Sequence, residues 1–157
     1  MDALAVNPLA TALPPWCMVG ENSVRVAFLD RRVRDMLDDW ERITETTVAG
    51  LRALVGPDVD EPRLNELVGE LSVRSERFRK LWARHDARPK RSGATRMRHP
   101  LVGPLELSYE KLADSRHDRQ MLIAYHAEPG SPSAQGLALL ASAAAGAREP
   151  LRSYGAE

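Results

Sequence analysis

One stretch, from His99 to Ala134, constrains the fold of this chain most, because it holds two long β-patterned runs and a helix start. The first run alternates apolar and polar residues, as does a strand with one buried face: Leu105, Glu106, Leu107, Ser108, Tyr109 and Glu110. The second run, Met121 to Ala127, is largely apolar on both faces, which predicts a central strand of the sheet. Ser131-Pro132 then predicts a helix cap with proline at the first helical position.

The residues before this stretch predict helices that cover the sheet. Asn7-Pro8 predicts a short helix over residues 8–13, and Asn22 caps a second one. A third, long helix is predicted from Asp30 to Leu54, because apolar residues recur there every three or four positions. A compact apolar stripe over residues 64–71 predicts the next helix, and Ser75 caps another. Alternation over residues 95–99 predicts a first strand, so that three consecutive strands form an antiparallel meander.

Length and composition fit one cytoplasmic domain. The chain has 157 residues, of which 43% are hydrophobic, and this is enough for one ordinary core. We find no apolar run long enough to span a bilayer and no signal-peptide pattern, so we expect a cytoplasmic location. The formal net charge is zero, yet residues 74–98 carry 10 basic and 2 acidic groups. This basic block either forms a solvated helix face or attracts nucleic acid or an anionic ligand.

Several short motifs, in order along nearly the whole chain, carry a family resemblance. They are Asn22-x-x-Arg25-x-x-Phe28, Trp40 on a helix that continues to Leu51-Arg52, Ser75 with Phe78-x-x-Leu81-Trp82-x-x-His85, the run His99-Pro-x-Val-Gly-x-Leu-x-Leu-x-Tyr-Glu110, and Ala127-Glu-Pro-Gly-Ser-Pro-Ser-Ala134. Together they resemble the ligand-binding domain of MmyB-like transcription regulators.

The resemblance implies an α+β fold, with a PAS-like antiparallel sheet covered by several helices. It further implies a sensor that binds a fatty acid or similar apolar acid and controls a helix-turn-helix domain of the XRE type. We expect the sensor over residues 1–145 and a flexible tail over residues 146–157. The helix-turn-helix pattern is not found in this sequence, so we expect DNA to be contacted only through a domain outside it.

We predict the ligand pocket between the aromatic helix faces and the inner face of the sheet. An apolar tail needs a dry surface, and its carboxylate needs a cation or a hydrogen-bond donor. The predicted ligand-binding residues are Arg25, Phe28, Trp40, Phe78, Leu81, Trp82, His85, Met97, Arg98, His99, Leu105, Leu107, Tyr109 and Ile123. Among them, Arg25, His85, Arg98 and His99 are the candidates for the polar end. Aromatic residues on helical stripes also fit an ordinary core.

The residues favour neither an enzyme nor a metal site. His126-Ala-Glu128 resembles the His-x-Glu of zinc deaminases, but the Cys-x-x-Cys that those enzymes need is absent and Cys17 is the only cysteine. Tyr109 and Glu110 are adjacent on a strand and therefore point to opposite faces, so they do not form a proton-transfer pair. We predict no catalytic residues, no metal ligands and no cofactor other than a bound fatty acid.

Two hypotheses about function remain open at this stage. The chain is either the ligand sensor described above or a module that binds no ligand and serves dimerisation or another protein interaction. A homodimer is expected in the first case too, because regulators that read paired DNA half-sites are commonly dimers. The narrow stripe of Leu137, Leu140 and Ala144 on the last helix offers a small-residue surface for close packing, either on the sheet or on another subunit.

Overall fold

Seven α-helices and three β-strands form the described part of the chain, which comprises residues 1–14, 18–55, 62–84, 92–113 and 120–146 of a computed structural model. The elements are α1 (Pro8–Ala12), α2 (Ser23–Leu29), α3 (Arg31–Met36), α4 (Trp40–Val55), α5 (Pro62–Arg74), α6 (Glu76–Ala83), β1 (Ser92–His99), β2 (Gly103–Ala113), β3 (Met121–His126) and α7 (Pro132–Gly146). The strands form one antiparallel sheet in the order β1-β2-β3. The predicted α+β class is confirmed.

Polar side chains begin four of the helices where the sequence predicts. Asn7, Asn22 and Ser75 accept hydrogen bonds from backbone N–H groups in the first turns of α1, α2 and α6. The hydroxyl of Ser131 accepts from the N–H of Ala134 at 3.1 Å, at the start of α7. These contacts satisfy donors that have no partner within the helix, and they depend only on neighbouring residues.

The prediction of one long helix from Asp30 to Leu54 is wrong, because the chain leaves the helical path at Leu37. Leu37 is extended and pairs with Met97 of β1, while the N–H of Asp38 donates to the carbonyl of Arg96 at 3.1 Å. Residues 37 and 38 therefore act as a short strand along the outer edge of β1. Helical periodicity is the same on both sides of this break, so it does not reveal the break.

The inner face of β2 forms the floor of the fold. Leu105, Leu107 and Tyr109 are buried, whereas the residues between them point away from the core, as the alternation predicts. Leu107 pairs with Thr95 of β1, which is also buried. In an antiparallel pair, directly opposite residues lie on the same face, so β1 extends this floor.

The prediction that the third strand is central is wrong. β3 lies at the edge of the sheet, and all six of its residues are exposed. A strand that is apolar on both faces is typical of a sheet centre, but the short meander places β3 last. The helices pack mainly on the part of the sheet that β1 and β2 form, where α3 contacts β1 and α7 contacts β2.

Two separate hydrophobic cores hold the described elements together. The first joins the sheet to α1, α3 and α7 and contains Met97, Leu105, Leu107 and Leu140. The second joins α2, α4, α5 and α6 around Phe78. Helices α2 and α4 contribute side chains to both cores, because their apolar residues are spread around more than one side.

The sequence left open whether the small-residue face of α7 packs on the sheet or on another subunit. In the structure it packs on the sheet. Leu140 is buried in the first core, and Leu137 packs against it. A Cβ atom built on Gly136 would lie 2.8 Å from Leu105, so the absence of a side chain there permits the close approach. Helix α7 ends at Gly146, and the predicted tail beyond it lies outside the described residues.

Candidate ligand-binding surface

The inner face of the sheet continues beyond the first core as a partly exposed, largely apolar surface. Tyr109 pairs with Tyr125 and Lys111 with Ile123, so these four side chains share the face that holds Leu107. Met121 lies further along the same face, and Met121, Ile123 and Tyr125 are 45%, 41% and 46% exposed. We call this surface the open strip: Tyr109, Lys111, Met121, Ile123 and Tyr125.

Lys111 is the cation of the open strip. Its side chain is half-buried, and its ammonium nitrogen lies 5.6 Å from the centre of the Tyr109 ring, within the range of a cation–π contact. Burial lowers the pKa of Lys111 below its ordinary value of 10.5, because the charged form loses water. The ion pairs formed within the described residues do not include Lys111. A partly desolvated ammonium with these surroundings is suited to pair with an anion.

A polar cluster closes one end of the open strip. The Tyr109 hydroxyl lies over Gly93, where a Cβ atom would be only 2.8 Å away, and it interacts with the guanidinium of Arg42. Arg42 forms an ion pair with Asp39, and Thr95 donates a hydrogen bond of 3.2 Å to the same carboxylate. Burial acts to lower the pKa of Arg42, but the Asp39 carboxylate and the Tyr109 hydroxyl together outweigh burial, and the pKa is raised. The charge of Arg42 is therefore already paired within the protein, with the carboxylate of Asp39.

Trp40, one of the predicted ligand residues, is held by contacts within the protein. Its indole N–H donates to the carbonyl of Ala27 at 2.9 Å, which fixes the ring between α2 and α4. The guanidinium carbons of Arg34 and Arg77 lie 5.1 Å and 4.9 Å from the ring centre. Trp40 packs against the first core from its rim.

The other apolar residues predicted to bind the ligand are distributed over both hydrophobic cores and the open strip. Phe28, Phe78, Leu81 and Trp82 come together in the second core, where the Phe78 ring meets Phe28 edge-on at 5.1 Å and stacks on Trp82 at 5.6 Å. The residues from the sheet, Met97, Leu105 and Leu107, lie in the first core. Tyr109 and Ile123 belong to the open strip. The structure therefore does not gather the predicted set around one gap.

The predicted cations are also dispersed. Arg25 is bound to Glu70 at 2.7 Å, and it lines an open groove of about 330 Å³ on the helical side. Arg98 is exposed and bound to Asp38 at 2.9 Å, and His85 lies outside the described residues.

His99 is buried, and both of its ring nitrogens are engaged by the backbone. Nε2 lies 2.9 Å from the carbonyl of Ala12, and Nδ1 accepts from the N–H of Leu101 at 3.2 Å. Because Nδ1 accepts, Nε2 carries the hydrogen in this arrangement. His99 thus ties α1 and the β1–β2 turn to the sheet.

Sequence reasoning missed Lys111, Met121 and Tyr125 as members of a site. A signal for Lys111 was present, because it occupies the next position in the alternation of Leu105, Leu107 and Tyr109. A cation that continues an apolar stripe lies at the boundary of the buried face. For Met121 and Tyr125, the exposed position follows only from the edge location of β3.

Within the described ranges, we find no group of three or more His, Cys, Asp or Glu side chains placed to hold a metal ion. None of the helices in this part of the chain is long and apolar enough to cross a membrane.

A comparison with family models matches residues 1–140 to the model described as "MmyB-like transcription regulator ligand binding domain". No curated protein and no solved structure gives a significant match.

Proposed function

This chain belongs to the family of MmyB-like transcription regulator ligand binding domains, and from that membership we propose that it senses a fatty acid or a similar apolar carboxylic acid. In the intact regulator, binding changes how an attached helix-turn-helix domain of the XRE type meets DNA. We place this regulator in the cytoplasm, where its DNA target is accessible. The sensor function is assigned to the part of the chain that the family model covers, residues 1–140.

The observation that carries the choice of ligand is the position of Lys111 beside exposed apolar side chains. An apolar tail that lies along Tyr125, Ile123 and Met121 removes their exposed surface from water, and each buried methylene group contributes about 0.8 kcal/mol. The carboxylate must keep a partner as it loses water, and the ammonium of Lys111 supplies one. Pairing with a carboxylate favours the charged form of Lys111 and so opposes the effect of burial on its pKa.

The proposed site differs from the pocket predicted from sequence. Within that predicted set, Tyr109 and Ile123 lie in the open strip. Phe78, Leu81 and Leu107 contact other core side chains, which supports a structural role for them. A ligand that binds along the strip does not require these two cores to open.

The test compares the unmodified chain, stripped of lipid, with Lys111→Met by calorimetric titration of a twelve-carbon fatty acid. Loss of a hydrogen bond to a charged group costs about 1.5 to 3 kcal/mol, so the Kd should rise by a factor of about 10 to 150. The alcohol of the same chain length should bind both proteins equally, because it carries no charge for Lys111 to pair. Lys80→Met is the matched control, since Lys80 is exposed on α6 and pairs with Glu76.

Two results would contradict the proposal. The first is the absence of saturable fatty-acid binding by the unmodified chain. The second is an equal loss of affinity in Lys111→Met and Lys80→Met, which would move the ligand away from the open strip.

A ligand-free interaction module is the second candidate function, and one observation favours it. The residues of β3 are exposed on both faces of the sheet, as is typical of a surface that another protein covers. Native mass spectrometry of the freshly purified protein separates the two candidates, because a co-purified fatty acid is expected only for the sensor.

A further inference from the structure

Two arginine–tryptophan contacts join α4 to α6, one at each end of this helix pair. At the first end, the guanidinium carbon of Arg77 from α6 lies 4.9 Å from the centre of the Trp40 ring on α4. At the second end, the guanidinium carbon of Arg52 from α4 lies 4.4 Å from the centre of the Trp82 ring on α6. Both distances are within the range of a cation–π contact. The two arginines differ in the partners of their N–H groups.

The N–H groups of Arg77 are bound by the protein. Its Nε donates to the hydroxyl of Thr44 at 2.7 Å, and one of its Nη atoms donates to the carbonyl of Glu41 at 2.7 Å. The carboxylate of Glu45 lies 3.8 Å from the same Nη and balances the charge. These contacts give Arg77 a structural role between the two helices.

Arg52 lacks such partners in the part of the chain that the structure describes. Its Nε is buried there without a hydrogen-bond partner, and the ion pairs formed among these residues do not include Arg52. Buried polar groups nearly always have a partner, so an orphaned donor on a cation indicates an acceptor that binds from outside. The Arg52 side chain as a whole is only half-buried, so an anion from solvent can reach it.

The surroundings of Arg52 favour a carboxylate with a single charge. The contact with Trp82 supplies no oxygen acceptor, whereas a carboxylate can accept from two N–H groups of one guanidinium. Arg52 lies in the last turn of α4, and Trp82 lies in the last turn of α6. The C-terminus of a helix carries partial negative charge, so these two helix ends disfavour a doubly charged phosphate.

The Trp82 ring limits the size of the group that the carboxylate carries. The ring is half-buried against the second core, and Phe78 stacks on it with the ring planes 12° apart. The remaining exposed part of the ring offers an apolar contact to a small group, but it is too short to cover a long acyl chain.

We propose that Arg52 and Trp82 form a second binding site, which takes a small carboxylate with an apolar group. The carboxylate accepts hydrogen bonds from the guanidinium of Arg52 and supplies the acceptor that Nε lacks. The apolar group packs on Trp82. This site does not depend on fatty-acid binding at the open strip, because it lies between helices whereas Lys111 lies on the sheet.

The test is an NMR titration of the lipid-free, unmodified chain with sodium benzoate, followed through the Nε–H signals of its arginines. The Arg52 signal is assigned by its absence from Arg52→Lys. It should shift and saturate with a Kd of about 0.1 to 10 mM, the range for a small ligand held by one ion pair. The Arg77 signal is an internal control and should not shift, since its donors are already bound. Benzamide, which has no charge, should leave both signals unchanged.

Variants test the same site through the affinity for benzoate, measured from the signals of the ligand. Arg52→Gln should raise the Kd at least about tenfold, because the ion pair is lost. Arg98→Gln is the matched control, because Arg98 is exposed on β1, and it should leave the Kd unchanged. Circular dichroism checks that both variants fold.

Four results would overturn the proposal. They are an Arg52 signal that does not move with benzoate, an equal shift with benzamide, tighter binding of inorganic phosphate than of benzoate, and equal losses of affinity in Arg52→Gln and Arg98→Gln. The first three are read from the unmodified chain and therefore do not depend on the folding of a variant. None of them bears on the fatty-acid titration of Lys111→Met.

Discussion

Truncation of Phe78 to alanine distinguishes a packed core from a ligand pocket on the helical side. Phe78 is fully buried and has aromatic contacts with Phe28 at 5.1 Å and with Trp82 at 5.6 Å. A buried Phe→Ala change costs about 3 to 5 kcal/mol, which includes the cavity that it leaves. Because two aromatic contacts are lost as well, each worth about 0.5 to 1.5 kcal/mol, we expect the upper half of that range.

Urea denaturation followed by tryptophan emission measures this loss. With a slope of about 2 kcal/mol per molar urea, the midpoint of Phe78→Ala should fall by about 2 M. Val73→Ala is the control, because Val73 is 82% exposed on α5 and its truncation should change the free energy of unfolding by less than about 0.5 kcal/mol. A loss below about 1 kcal/mol for Phe78→Ala, or a loss that added fatty acid reverses, would refute the assignment of Phe78 to a packed core.

Two further predictions concern the sheet and the pH dependence of stability. Gly93→Ala should lower the free energy of unfolding by about 1 to 3 kcal/mol, because the new Cβ atom would lie 2.8 Å from the Tyr109 hydroxyl. Adding Tyr109→Phe to the same chain should recover part of this loss, because it removes the hydroxyl. If the effects of the two changes on the free energy of unfolding simply add, the steric clash between residues 93 and 109 is contradicted. Hydrogen bonds from Arg25 and then Arg74 lower the pKa of Glu70 below its ordinary 4.5, so its stabilising contribution is complete above pH 4.5 and is lost as the pH falls through the lowered pKa. The difference in urea midpoint between the unmodified chain and Glu70→Gln should narrow as the pH falls below 4.5, and a difference that stays constant as the pH falls would exclude this ion-pair effect.

Features that depend on neighbouring residues could be predicted from the sequence. The helix starts at Asn7, Asn22, Ser75 and Ser131 are confirmed, because a cap is a contact between a side chain and a backbone group two or three residues away. The buried face of β2 is confirmed as well, since alternation within one strand determines which side chains share a face. The family could be recognised from the sequence because each of its motifs is a short run of neighbouring residues. The family model matches residues 1–140.

Features that depend on which element packs where were decided only by the tertiary structure. The break at Leu37 follows from pairing with β1, 60 residues further along the chain, and the helical period does not encode that contact. The edge position of β3 follows from strand order, whereas its composition is equally compatible with a central strand. The predicted aromatic and sheet residues each lie on an apolar face, but these faces pack in two separate cores, and only the tertiary structure shows that α2 and α4 contribute side chains to both. Lys111 gained its place in the candidate site for the same physical reason: burial is a property of the neighbours that a side chain meets, and a strand pattern alone does not say where the covering helices end.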